Sequence, residues 1–228
     1  MTFEIIATTL TDAKQAEEYG ADRLELSPGM SELGITPSYG LIESVTRSIS
    51  IPFNTIIRPH SQSFIYNEDD LAVMKKDIQM VKELGGNGIV IGALTADHVI
   101  DEEVMKQLLE SAEGLDVTFH KAFDFVRDQE EALKCLSQYP QIKRIATSGG
   151  PQGATLVPHK MKKLINLAKD TQIEIMVAGG LREDNFKEFY NKVKPKEVHF
   201  GSGIRLGDSY LQPIDKNKVD KMITIFKS

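Results

Sequence analysis

The chain has 228 residues, 41% of them hydrophobic and 26% charged, with a net charge of −6. That is ample apolar material for a sizeable core, and the length suits one α/β barrel domain spanning residues 1–228. The acidic balance, with no basic run or stripe, argues against nucleic acid as a partner. No apolar stretch approaches the roughly 18 residues of a membrane span, and MTFEII lacks the basic start and long apolar run of a signal peptide. The expected location is the cytoplasm, away from membranes.

Strand and helix signals alternate along the chain. FEIIAT at residues 3–8 reads as a first strand. Thr11 is the expected cap of a helix carrying Ala13, Ala16 and Tyr19 and closed by Gly20. DRLEL at 22–26 is a second strand, and Thr36 with Pro37 opens the next helix, with Leu41, Ile42 and Val45 inward. FNTIIR at 53–58 is a third strand. Asn67 and the acidic Glu68, Asp69 and Asp70 start a long helix with Leu71, Met74, Ile78 and Val81 at helical spacing, ending at Gly85.

NGIVIG at 87–92 and DVTFH at 116–120 are the next strands, with a helix over 102–112 between them. Asp128 and Glu131 have capping-box spacing before Ala132, Leu133 and Leu136. KRIAT, IEIMV and EVHFG supply strands six to eight, and the helices after them carry Met161 and Leu164, Phe186 and Phe189, and Val219 and Met222. Eight such units favour a parallel sheet closed into a (β/α)8 TIM-like barrel, with a doubly wound open sheet as the competitor.

Several of these strands alternate apolar and charged residues. Leu24 and Leu26 interleave with Arg23 and Glu25. Phe53, Thr55 and Ile57 interleave with Asn54, Ile56 and Arg58, and Val117 and Phe119 with Thr118 and His120. Residues two apart on a strand share a face, so three strands aim a carboxylate, a guanidinium and an imidazole into one space. Unpaired buried charge is costly, which points to a polar cavity at the strand ends, where barrels carry their sites. Glu25 and His120 are the candidate acid and base, and Arg58 the candidate anion-binding cation. A buried ion network that only fills the barrel is the other reading, and the preferred one for Glu4 and Arg23, nearer the opposite end.

Glycine loops follow the later strands: TSGG at 147–150, AGG at 178–180 and GSG at 201–203. Ser148, Gly149, Gly150, Gly179, Gly180, Gly201 and Ser202 could bring backbone N–H groups to a phosphate or carboxylate, or could simply make tight turns. There is no GxGxxG or GxxxxGK[ST] fingerprint. Asp124 either orients His120 or caps a turn. Lys121, one residue past His120, is expected to point away from the cavity. Cys135, the sole cysteine, excludes an internal disulfide and is expected to pack against the sheet. His60, His98, His159 and His199 lack metal-ligand spacing, and His199 reads as a hydrogen-bonded interior histidine.

GADRLEL, LGITPSYG, IIRP, DIQMVKELGGNGIVIGALT, VTFHKAFD and the TSGG loop occur in this order. Together they resemble the CutC family, called copper homeostasis proteins, over nearly the whole chain. The resemblance implies a TIM-like barrel, a cytoplasmic location, a homodimer or larger homo-oligomer, and an association with copper tolerance in which copper(I) binding has been proposed. The family's frequent cysteine positions hold Ile6, Ser27 and Ile65 here, and its FHRAFD and RPRGGDF read FHKAFD and Arg58-Pro59-His60-Ser61-Gln62-Ser63-Phe64. Copper(I) prefers soft thiolate or thioether ligands. Two functions therefore stand open. One is copper homeostasis. The other is a lyase, isomerase or hydrolase working by acid–base chemistry on a small anionic or phosphorylated metabolite. A non-catalytic scaffold is a third reading, with no amphipathic or charged tail to point to it.

Overall fold

Strands β1 (Thr2–Ala7), β2 (Arg23–Leu26), β3 (Phe53–Ile56), β4 (Gly88–Ile91), β5 (Asp116–Phe119), β6 (Ile142–Thr147), β7 (Glu174–Ala178) and β8 (Glu197–Phe200) pair in sequence order. All pairings are parallel, and β1 closes on β8 through Phe3 opposite Val198 and Ile5 opposite Phe200. The computed structural model describes residues 1–227. Helices α1 (Leu10–Glu18), α2 (Tyr39–Thr46), α3 (Glu68–Glu83), α4 (Glu102–Ser111), α5 (Gln129–Leu136), α6 (Pro158–Ala168), α7 (Phe186–Val193) and α8 (Lys216–Phe226) follow the strands in turn. The expected (β/α)8 barrel is the fold, and the open sheet is excluded by closure. Among the described residues no helix is long and apolar enough to cross a membrane.

Strand alternation sorts the side chains into two interiors. Ile5, Leu24, Phe53, Ile89, Val117, Ile145, Ile175 and Val198 are buried with the inward stripes of the helices in one continuous apolar layer. The alternate residues fill the lumen, where Ala146, Met176 and Ala178 form the one apolar cluster among the described residues. Arg23 on β2 reaches Met176 on β7, with Nη2 3.3 Å from Sδ, so the two side chains meet across the ring.

The lumen floor is ionic. Arg23 pairs with Glu4 and, at 2.6 Å, with Glu197. Arg144 lies 3.2 Å from the same Glu197 carboxylate and also pairs with Asp116. Asn54 Nδ2 donates to Thr118 Oγ1 at 3.2 Å, and Arg144 donates to that hydroxyl at 3.1 Å. Each cation thus bridges two carboxylates, which offsets the cost of burying them.

Two helix starts differ from the sequence expectation. The first helix is capped by Thr9, whose hydroxyl accepts from the Asp12 N–H at 3.1 Å, rather than by Thr11. The second starts after Ser38, and the Thr36 hydroxyl instead accepts from the Arg58 N–H at 2.9 Å, tying the loop after β2 to the end of β3. Asn67 and Asp70 form a full capping box on α3, and Asp128 caps α5 by accepting from the Glu130 and Glu131 N–H groups.

Candidate functional site

At the top of the ionic floor, Glu4 meets Glu25 and His199 in the lumen, all buried. His199 Nδ1 is 2.6 Å from Glu4 Oε1 and 3.9 Å from Glu25 Oε2. Burial alone would raise the Glu4 carboxyl, but Arg23 and His199 outweigh it and hold the group at about 2. The partners of Glu25 are weaker. Burial pushes it up to about 7; Glu4 adds to the rise, while His199, Ser27 and Arg23 pull the other way. Burial opposes protonation of His199, but the Glu4 hydrogen bond and the Glu25 charge overcome it and raise the imidazole. Glu25 therefore holds a proton that exchanges near neutral pH, and His199 holds its proton more firmly than a free imidazole does.

His199 forms the floor of a cavity of about 230 Å³ at the C-terminal ends of the strands. Lys121, Gly179, Gly180, Arg182, Gly201 and Tyr210 contribute to its wall. Lys121 points into this cavity, not away from it as alternation implied. The chain turns into a 3-10 helix at Lys121–Phe125 directly after His120, so the two-residue period ends there. Lys121 Nζ sits 2.9 Å from Ser148 Oγ and 3.3 Å from Asp124 Oδ2. Gly179, with φ +88, leaves room for it: a Cβ there would lie 2.8 Å from the ammonium. Tyr210 closes the far side beneath the Arg205 guanidinium, 5.5 Å from its ring, and burial, then the Glu25 charge, pushes its phenol up to about 12.

The TSGG loop is organised around a protein carboxylate. Asp124 accepts from the Ser148 N–H, the Gly150 N–H, the Ser148 hydroxyl at 2.6 Å and the Thr147 hydroxyl. The Gly149 N–H donates to Thr147 Oγ1 at 2.9 Å. The N–H groups of Ser148, Gly149 and Gly150 thus have partners within the protein, and Asp124 fills the anion position of their cradle. Of the two roles weighed for Asp124, it takes that of holding a turn; the imidazole of His120 takes its hydrogen bond elsewhere. The carboxylate holds both Ser148, which is fully buried, and Lys121, which lines the cavity.

Arg58 and His120 meet on the other side of the mouth, around Phe64. The guanidinium carbon lies 4.8 Å from the Phe64 ring centre, and the His120 ring 4.9 Å from it. Arg58 Nη1 donates to the Glu32 and Gly34 carbonyls, and Nη2 to the Ser61 carbonyl at 3.2 Å. His120 Nδ1 accepts from the Ala122 N–H at 3.1 Å, which leaves the proton on Nε2. Burial, with the Arg58 charge, depresses this imidazole to about 3, so it is neutral near pH 7. The expected convergence of Glu25, Arg58 and His120 therefore divides in two. Arg58 and His120 share Phe64, and Glu25 joins Glu4 and His199 in the lumen. His199, Lys121 and Tyr210 are the site residues that sequence reasoning passed over or placed elsewhere.

The family model for the CutC family matches residues 1–204. This chain belongs to the CutC family. A CutC family protein of Klebsiella pneumoniae is 40% identical over 200 residues, covering 88% of this chain and 79% of the relative. A copper homeostasis protein cutC homolog of Dictyostelium discoideum is 35% identical over 92% of this chain and 84% of its own length. The crystal structure of CutC from Streptococcus agalactiae superposes with a TM-score of 0.81 at 32% identity, covering 88% of this chain and 98% of that one. Tyr210, which lines the cavity, and Arg205, against its ring, lie beyond the residues matched by the CutC model.

The residues here do not fit a copper(I) thiolate centre of the kind proposed for CutC proteins. Ile6, Ser27 and Ile65 offer no sulfur, and the nearest soft atom, Met30 Sδ, lies 3.3 Å from the Ser27 hydroxyl. Cys135 sits on α5 against Glu102, and burial pushes its thiol up to about 11, so it stays protonated near pH 7. Among the described residues the one cluster of metal-ligand spacing is Glu4, Glu25 and His199, whose donor atoms lie within 4.8 Å of one another. Its nitrogen and oxygen donors suit a borderline divalent ion better than copper(I). Glu4 is already engaged by Arg23 and His199, so an ion there would have to compete with both.

Proposed function

We propose that this CutC-family protein binds a small anionic or phosphorylated metabolite in the cavity above His199 and acts on it by proton transfer. Its part in copper homeostasis, the role in its relatives' names, runs through that molecule rather than through copper(I) held on thiolates. The observation that carries the reading is electrostatic. In a chain of net charge −6, this cavity wall holds Lys121 and Arg182 and no carboxylate, with a proton-holding imidazole at its floor. Lys121 and the main chain of Gly179, Gly180, Gly201 and Ser202 hold the anion. His199 exchanges a proton with the bound molecule, and Glu25, at about 7, supplies or takes up that proton from behind. Isomerisation, lyase cleavage and hydrolysis all use such a transfer. The lone thiol supports a cytoplasmic location. Leu156, Leu206 and Leu211, exposed on the loops after β6 and β8, support assembly as a dimer or larger homo-oligomer.

Thermal-shift screening with phosphorylated sugars tests this reading. A true ligand at about a hundred times its Kd adds about 2.7 kcal/mol, several degrees in Tm. The shift should vanish in Lys121→Met and survive in Lys163→Met, an exposed control. A panel in which no anion raises Tm would sink the proposal. Copper(I) gives a separate check. In competition with a copper(I) chelator the protein is expected to leave the metal with the chelator. Retention of copper(I) that disappears in Cys135→Ser would restore the thiolate reading.

A further inference from the structure

We infer that a second small-molecule site lies beside Arg58, beneath the loop joining β3 to α3, and that it takes a small carboxylic acid with an apolar body. It is separate from the cavity above His199 and does not rest on the function proposed for that cavity; Leu33 borders both.

The first observation is a buried cation without a salt bridge. Arg58 is 2% exposed, and it donates to the carbonyls of Glu32, Gly34 and Ser61, with the Tyr66 hydroxyl and the Glu32 carboxylate near enough to favour its charge. Among the described residues no carboxylate pairs with it. Every other fully buried arginine has one: Arg23 has Glu4 and Glu197, Arg144 has Asp116 and Glu197, and Arg205 has Asp12 at 2.7 Å. Carbonyl dipoles orient a guanidinium but do not neutralise it, and the Glu32 carboxylate acts on it without forming a salt bridge.

The second observation is a group of buried polar atoms without partners. Arg58 Nε, Thr95 Oγ1 and His120 Nε2 all lack a hydrogen-bond partner. They belong to three different strand-end segments; Arg58, Phe64 and Thr95 line one cavity of about 280 Å³, and His120, outside its wall, packs on Phe64. The His120 proton is fixed on Nε2 by the Ala122 N–H, so this ring is a donor. Buried donors left unpaired are costly and gather where an acceptor belongs.

The third observation is the wall itself. Leu33, Phe64, Ile65, Leu94 and Phe125 make its apolar side. An apolar pocket with a few convergent donors is the usual form of a small-molecule site, and about 300 Å³ is the lower end of the usual range. A carboxylate fits this donor set better than a phosphate does. Arg58 has already given three N–H groups to carbonyls, which leaves too few for a phosphoryl group, while the aromatic and leucine walls call for an apolar body. Hexanoate and benzoate are the right chemical size and type.

Calorimetric titration and amide NMR with hexanoate and benzoate test the site in the full chain. Binding is expected, with the largest shifts at Phe64, Thr95 and His98. Hexanamide, which lacks the charge, should bind at least about tenfold more weakly. Arg58→Gln should weaken hexanoate by at least about tenfold as well. Because Arg58 also ties two loops together, Phe125→Glu provides the second arm. Phe125 is 42% exposed, so the fold tolerates a carboxylate there, and its charge should repel the ligand by a similar factor. Lys121→Met should leave hexanoate binding unchanged. No binding of either acid, equal binding of hexanamide, wild-type affinity in Phe125→Glu, or loss of binding in Lys121→Met would each overturn the inference.

Discussion

Replacing Arg23 by alanine is expected to lower stability by about 3–5 kcal/mol, the largest single loss in the lumen. The guanidinium is the cation shared by Glu4 and Glu197, and it also contacts Met176. Its removal leaves Glu4, 1% exposed, with only the His199 imidazole to balance it. Glu197 keeps Arg144, so the damage centres on Glu4, and the Glu4 carboxyl should rise from about 2 toward its ordinary value or above. The alanine also opens a void where the arginine stem stood. Urea unfolding at neutral pH measures the change as a fall in midpoint at unchanged slope. Arg23→Met paired with Glu4→Gln should cost less than Arg23→Ala alone, because no unpaired charge remains. If the single substitution costs under about 1 kcal/mol, the floor network is hydrated and its ion pairs are weak.

The barrel was legible in the sequence because its signals are periodic and redundant. Each unit carries a two-residue alternation, then a helical stripe, and eight units agree even where one boundary is wrong. Boundaries failed where two cap-forming residues lie close together. Thr9 and Thr11, or Thr36 and Ser38, are chemically interchangeable, and only the path of the chain leaving the strand decides between them. The site was legible only in part. Alternation correctly put Glu25 inside the lumen, yet it cannot say across which strands a side chain will find its partner. It also fails once the strand ends, which is how Lys121 came to be assigned outward. His199 was within reach: Val198 and Phe200 flank it as Leu24 and Leu26 flank Glu25. The turn role of Asp124 was legible but its partner was not, because a carboxylate 24 residues before Ser148 fills a cradle that in sequence reads as a ligand loop. Local patterns report which face a residue takes; partners set by tertiary closure leave no comparable local mark.

Glu25→Gln is expected to stabilise the protein at alkaline pH and to leave it nearly unchanged in acid. The sign follows from the two states. In the unfolded chain Glu25 titrates near 4.5, and in the folded barrel near about 7. Below the lower value both states carry the proton and the carboxyl costs nothing. Between the two values the unfolded chain releases its proton while the folded one keeps it, so stability falls as pH rises. Above about 7 the loss is complete, on the order of 3 kcal/mol for such a shift. Glutamine removes that loss, less whatever His199 forfeits when the neighbouring charge goes. The imidazole is itself raised, so its contribution also fades with rising pH. His120 is depressed to about 3 and acts in the opposite sense, withdrawing stability as pH falls below its unfolded value, but it does so equally in both proteins and cancels in the difference. Denaturant unfolding of both proteins at about pH 5 and about pH 8 reads the effect directly. A difference that does not change with pH would mean that Glu25 titrates as an ordinary carboxyl. If the variant is more stable at alkaline pH and no longer responds to the ligand that shifts the wild type, then the fold tolerates a destabilising carboxyl because proton exchange with His199 requires one.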